Sequence, residues 1–479
     1  MFKPALLRTA VASTFIFGIT FAHADEVRST LDDQRHVAVT IYSQDLALVK
    51  DQRSVQLPTG IHHLAVRDVS AQIRPETASL RSLNGSLSVM EQNFDFDLLT
   101  PQKLLEKYIG KIVSIISINP ATGVETREKA QVLSANNGVV LKIGDRIETG
   151  MPGRIVYPDV PANLRDRPTL VVQLNNKSST KQDVELSYLT GGLGWKADYV
   201  AELNSSDDKL DLSGWVTLSN TSGTSYRDAK LQLVAGDVNR VQEHYRTAVK
   251  SMARMEMLDM AAPAPMAEES LLEYHLYTLD RPTTIAENQT KQVALLSAKN
   301  VPVRKELLLR GAEYYYQSSY GDLGQKMKVG VFVEFDNKEN AQLGMPLPKG
   351  VIRVYKKDSN DNAQFVGEDR IEHTPKNETV RLKLGEAFDV TADKKQTDFR
   401  KLPKPMKGSN AFESAYEIVL KNAKKEPVSV SVQEPIPGEW RIINSSHPAT
   451  KAASNTAVWK IEVPAEGETI LNYRVQVVY

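Results

Sequence analysis

Residues 184–203 read VELSYLTGGLGWKADYVAEL, and the fold turns on whether the glycines at 191, 192 and 194 cradle a phosphate or turn a strand. A phosphate loop needs G-x-x-x-x-G-K-[ST] running into a helix, whose backbone donors and N-terminus hold the anion. Here Trp195 separates Gly194 from Lys196, and Ala197 stands where a hydroxyl is required. The flanks VELSYL (184–189) and KADYVAEL (196–203) both read as strand, so the glycines predict a turn or bulge between two strands. Trp195 is then expected to cap a core. A nucleotide-dependent enzyme is excluded at this position.

Outward from this turn, period-2 alternation dominates. It recurs in HVAVTIY (36–42), SLSV (86–89), KVGVFVEF (328–335) and VSVSV (428–432). Turn signals punctuate these runs: LPTG at 57, NPATG at 119, NNG at 136, LPKG at 347 and PIPG at 435. Many short strands so divided predict a mainly β chain of several sandwich or small-barrel modules. One helix is expected: Thr100 caps it, Pro101 suits its first turn and Gly110 its end, with Leu104, Leu105, Tyr108 and Ile109 on one face. Residues 111–157 then read as four or five short strands, which a small SH3-like barrel would accommodate.

The chain has 479 residues, 41% hydrophobic and 25% charged, a globular balance with room for several cores. Lys plus Arg equals Asp plus Glu at 59 each, so no basic excess asks for nucleic acid or anionic lipid. The first residues read as a secretory leader. Lys3 and Arg8 precede the apolar run Thr9–Phe21, and Ala22-His23-Ala24 is a small-residue cleavage site. Losing the leader removes two cations, leaving 57 basic against 59 acidic residues. No other stretch approaches a transmembrane helix. There is no cysteine, hence no disulfide, thiolate metal site or cysteine nucleophile. The expected compartment is the periplasm of a Gram-negative bacterium.

The expected organisation is a leader at 1–24, an N-terminal β domain at 25–99, helix plus small barrel at 100–160, a central β domain at 161–365, and a C-terminal domain at 366–479. Residues 246–272 interrupt the central domain with the run SMARMEMLDMAAPAPMAEES, rich in Met, Ala and Pro. Its Met252, Met255, Met257, Met260 and Met266 are the candidate partner-binding residues, because thioethers adapt to irregular surfaces. Thioethers also suit Cu(I), which leaves a copper-handling reading open, although only His244 and His275 flank the run.

Other constellations carry less. NFDFD at 93–97 places Asn93, Asp95 and Asp97 on one strand face, as hard oxygen ligands or as a solvated face. The histidines are scattered, with no H-E-x-x-H and no G-x-S-x-G. Ser446-His447 lacks triad geometry. Glu434 and Glu439 flank the PIPG turn and are the carboxylates a polysaccharide hydrolase could use. The ending LNYRVQVVY alternates apolar residues from 471 to 479, as a membrane barrel strand or the last strand of a soluble sandwich would. No catalytic residue, cofactor or metal site is assigned.

Several segments resemble a known family. VTIYSQDLALVKDQRSV, DVSAQIRPETASLRS, TGGLGWKADYVAEL, LQLVAGDVN and, most specifically, residues 276–296 and 367–390 are similar to bacterial secreted proteins of domain-of-unknown-function family four-one-three-nine, some labelled mucoidy-inhibitor-like. The resemblance implies a β-rich exported protein with an immunoglobulin-like C-terminal part, and no reaction. Together the readings predict a non-catalytic scaffold binding an envelope protein or glycan. The alternatives are an envelope polysaccharide hydrolase and copper handling through the Met-rich loop.

Overall fold

The computed structural model describes residues 26–43, 45–85, 87–95, 97–136, 138–161, 164–178, 181–239, 266–360, 362–403 and 410–478. The expected leader and Met252, Met255, Met257 and Met260 lie outside the described residues. The chain is mainly β, with one α-helix among the described residues. It divides into two compact units: residues up to Val37 with Val49–Leu189, and Ala38–Leu48 with Thr190–Tyr479.

The first unit contains a four-stranded sheet. Glu26–Ser29 lies parallel to Gly60–Arg67, which pairs antiparallel with Thr169–Asn176, which pairs in turn with Leu87–Asp95. The central strand Thr169–Asn176 buries Leu170, Val171, Val172 and Leu174, a nearly continuous apolar run. The helix Pro101–Lys107 forms as expected, with Thr100 Oγ1 accepting from the Lys103 N–H at 3.1 Å and Pro101 in the first turn. It ends at Lys107, and Gly110, at φ +82°, donates to the Val132 carbonyl. Leu105 and Tyr108 are buried, but Ile109 lies past the helix end and is exposed, so the apolar face stops one residue short of the expectation.

Five strands follow in the order Arg146–Thr149, Val140–Ile143, Glu125–Ser134, Ile112–Ile118, Arg154–Val156. Tyr108, Val113, Ile115, Ala130, Val132, Leu141 and Ile143 form their core against the helix. The expected small barrel is corrected here: this sheet is open. The edge strands have four and three residues, and the short connection between them carries Arg154–Val156 onto Ile112–Ile118 instead of onto Arg146–Thr149.

The two strands expected on either side of the glycines both form, but they join different sheets: Gln182–Thr190 pairs with Ser79–Ser82, while in the second unit Leu193–Leu203 pairs antiparallel with Lys209–Asn220 and parallel with Gly350–Lys357. Gly192 makes the turn at φ +76°, donating to Asp45 Oδ1 at 2.8 Å. Trp195 is buried, as a core cap should be.

The 22-residue strand Gln289–Arg310 links two regions of this unit. Its first part pairs with Lys209–Asn220, and its last part pairs with Asp322–Asp336 and, in parallel, with Val428–Pro435. From there two groups of strands enclose one core. One runs Asp322–Asp336, Thr379–Leu402, Ala411–Asn422, Gly467–Val478, Glu439–Ser445; the other is Val428–Pro435, Thr456–Val463 and Thr450–Ala453. Both donate to a sandwich-like core of Val390, Tyr416, Ile418, Val430, Val432, Trp459, Ile461 and neighbours. Leu471, Tyr473, Val475 and Val477 all point into it, so the terminal alternation belongs to a packed core. No sheet among the described residues is closed into a barrel. Nor is any helix among them long and apolar enough to cross a membrane.

Candidate functional site

Strand alternation in the second unit delivers two charges to the inside of this core. Along Thr379–Leu402 the inward residues are Val390, Ala392, Lys394 and Gln396. Along Val428–Pro435 they include Val430, Val432 and Glu434. Neither strand can turn its charge outward without exposing its apolar residues, because a register shift of one flips the whole face.

Lys394 Nζ lies 2.7 Å from Glu434 Oε1, and both side chains are fully buried. The contact is an ion pair without hydrogen-bond angles; among the described residues neither Nζ nor Oε1 has a hydrogen-bond partner. Nζ sits 4.3 Å from the Tyr315 ring centroid and 5.1 Å from that of Tyr416, with Tyr316 and Tyr473 slightly farther. These ring faces are attractive to a desolvated cation. Tyr316 donates to Glu434 Oε2 at 2.8 Å and shares a 2.9 Å hydrogen bond with Tyr473. Tyr315 and Tyr316 come from the 3₁₀ turn Glu313–Tyr316. Tyr416 donates to the Tyr315 carbonyl at 2.6 Å, and Gln396 donates to the Ser318 carbonyl at 3.1 Å, which holds that turn over the pair.

Gly311 completes the cradle. A Cβ there would stand 2.1 Å from Glu434 Oε2 and 2.6 Å from its Cδ, so the carboxyl occupies the space a side chain would need. Burial pushes the Lys394 pKa below its ordinary value, with Glu434 opposing the shift. Burial raises the tyrosines: Tyr315 to about 12, and Tyr316 and Tyr473 well above 10. The site therefore holds an amine pushed toward its neutral form, a carboxyl, and a phenol aimed at that carboxyl.

The residues singled out from sequence fall elsewhere. Met266 is buried, its N–H bonded to the Leu295 carbonyl. Asp95 pairs with Arg165, and Asp97 with Lys107 and Lys103, so these carboxylates meet cations of the protein. Among the described residues no group of three or more His, Asp or Glu side chains is placed to hold a metal ion. Glu434 and Glu439 part company, one sealed and one exposed. Ser446 Oγ and His447 Nδ1 are 3.0 Å apart but exposed, and the hydroxyl accepts from the Asn472 N–H. Lys394 was missed, although extending the alternation from Val390 and Ala392 would have put it inside.

Two surface features lie in the first unit. A cleft of about 290 Å³ is lined by Arg28, Arg67 and Arg165, but these pair with Glu26, Asp166 and Asp95, leaving little free charge. The open five-stranded sheet presents Ile112, Ile118 and Ile147 outward, at 53%, 58% and 65% exposure. Register aligns Ile147, Lys142, Gln131 and Ile112 across four strands, with Ile116 opposite Arg127 and Ile118 opposite Glu125 on the same face.

No curated protein matches the chain. Residues 184–479, well over half of it and including the buried pair, match a family described as a domain of unknown function, and the chain belongs to that family, DUF4139.

Proposed function

We propose that the chain is an exported, non-catalytic β scaffold that docks an envelope protein through the outer face of the five-stranded sheet. The observation carrying this reading is the three outward isoleucines, Ile112, Ile118 and Ile147, on one face of an open sheet whose edges are short. Large apolar side chains exposed among charges on one sheet face are a composition that protein interfaces share. The face carries Ile, Lys, Arg and Glu with no aromatic ring, which suits a protein better than a glycan. Export rests on Lys3, Arg8, the apolar run to Phe21 and Ala22-His23-Ala24. Two-layered β modules, such as the immunoglobulin-like one expected at the C-terminus, commonly serve binding. The hydrolase reading loses support because Glu434 is sealed against Lys394, where a polysaccharide cannot reach it.

The test is site-specific photo-cross-linking in intact cells. A photoreactive residue at Ile147 should capture a discrete protein, and one at the exposed Lys460 should not. Ile112→Ser with Ile118→Ser should abolish that product while leaving the fold intact. Equal capture from both positions, or capture untouched by the double substitution, would remove the docking role.

A further inference from the structure

We propose that Lys394 and Glu434 condense in the folded protein into an intramolecular amide that cross-links the two groups of strands around the second unit's core. The inference rests on the buried pair and is independent of the docking surface.

Three observations point to it. The first is contact without satisfaction: Nζ lies 2.7 Å from Oε1 at angles poor for a hydrogen bond, neither atom has another partner among the described residues, and both are sealed from water. Sealing two ions costs more than an ion pair alone returns, whereas a neutral amide carries no such penalty. The second is positioning. The strand of Lys394 is paired on both edges, with Asp322–Asp336 and Ala411–Asn422. The strand of Glu434 is likewise held between Gln289–Arg310 and Thr456–Val463. Fixed reactants of this kind react at high effective concentration. The third is activation: Tyr316 donates to Oε2, where charge develops when the carboxyl carbon is attacked. Gly311 leaves room for the carboxyl to sit there.

The step balances without a co-reactant. A proton passes from the ammonium to the carboxylate, giving amine and carboxylic acid, the direction in which burial pushes the lysine. The Nζ lone pair attacks Cδ and forms the C–N bond, while Oε2 takes the charge under the Tyr316 hydrogen bond. The C–Oε1 bond then breaks, and Oε1 leaves as water with the protons released from Nζ. Oxidation states are unchanged, and one water is lost.

The next residue along the strand supplies an internal control. Lys395 Nζ lies 2.6 Å from Glu417 Oε1, a contact of the same groups at the same range, but Lys395 is half exposed. Water competes there, and the pair stays ionic.

The experiment is intact-mass spectrometry of the purified full chain, its folding checked by a cooperative melt, followed by peptide mapping. The expected result is a population lighter than its calculated mass by one water, with a branched peptide joining the Lys394 segment to the Glu434 segment. Lys394→Met and Glu434→Leu should each restore the calculated mass. A folded wild-type protein at its full calculated mass overturns the proposal, whether or not the variants fold. So does a water deficit that maps to Lys395–Glu417 or anywhere else.

Discussion

Arg53 with Asp51 in the first unit, and Lys394 with Glu434 in the second, are both ion pairs sealed from solvent. They meet the cost of burial differently. Arg53 and Asp51 lie two apart on Leu46–Val55, so alternation puts both on one face. Nε and Nη2 of Arg53 bond Asp51 Oδ2 at 2.9 and 2.8 Å, Nη1 reaches the Ser29 carbonyl and Nη2 the Arg67 carbonyl, and Gln34 donates to Oδ1. The guanidinium fork is spread over the carboxylate and two strand-end carbonyls. Lys394 meets its carboxylate from another strand, gains no further hydrogen-bond partner among the described residues and rests on tyrosine faces. Burial alone thus does not mark a reactive site. What marks it is a nucleophilic amine against a carboxyl with hydrogen-bonding capacity left over.

The largest effect that could break this contrast is at Lys394. Closing a loop of about 40 residues with a covalent link stabilises by about 4 kcal/mol in the chain-entropy picture. Lys394→Met should lower the denaturation free energy by at least that much, and an unchanged midpoint would reduce the pair to ordinary packing. Arg53→Leu follows, at about 3–5 kcal/mol, because it strands a buried carboxylate. Adding Asp51→Leu should recover much of that loss in equilibrium unfolding, which would show the arginine pair to be a satisfied ionic unit. Gly311→Ala comes third. Its Cβ collides with the Glu434 carboxyl, an overpacking cost of about 1–3 kcal/mol, and it should also lower the yield of the water-deficient species.

How much of this was legible in the sequence depends on which link is asked. The strand–turn–strand at 184–203 was, since the missing Ser/Thr and the strand flanks excluded a phosphate loop; that its two strands enter different sheets was not. The inward places of Lys394 and Glu434 were legible in principle: VTADKKQ and VSVSVQEP each carry the period that buries them. That the two meet was not, because strand order leaves no trace in periodicity. Ile109 failed because the helix ended at Lys107, two residues before the apolar pattern did, and Gly110 turned away to reach the Val132 carbonyl. The barrel failed because closure depends on which edge a three-residue strand finds.

The pH response sharpens the contrast at smaller amplitude. Nζ faces Glu434, Tyr315, Tyr316, Tyr416 and Tyr473. A free Lys394, with its folded pKa lowered, would bind fewer protons folded than unfolded. Stability would then rise with pH between that lowered value and the ordinary 10.5. An amide-linked lysine does not titrate and gives no such slope. The tyrosines have folded values raised above 10, so their contribution is present below pH 10 and lost as pH rises beyond it. Denaturant midpoints from pH 7 to 11 should therefore run flat, then fall. A midpoint climbing toward pH 10 in wild type, and flattened by Lys394→Met, would show a free amine.

The smallest effect belongs to a pair with neither form of burial. Asp336 accepts from Arg304 at 3.2 Å and from Thr379 at 2.8 Å, and these bonds hold its pKa at about 2. A depressed carboxylate stabilises above its unfolded value of 3.8, and that contribution is lost as pH falls through about 2. The Arg304 side chain is 57% exposed, so water and salt screen most of the interaction. Asp336→Asn should cost about 0.2–1 kcal/mol at neutral pH, less in high salt. A cost there matching that of Arg53→Leu would mean that desolvation does not separate the sealed pairs from the surface ones, and the contrast between the two units would lose its physical basis.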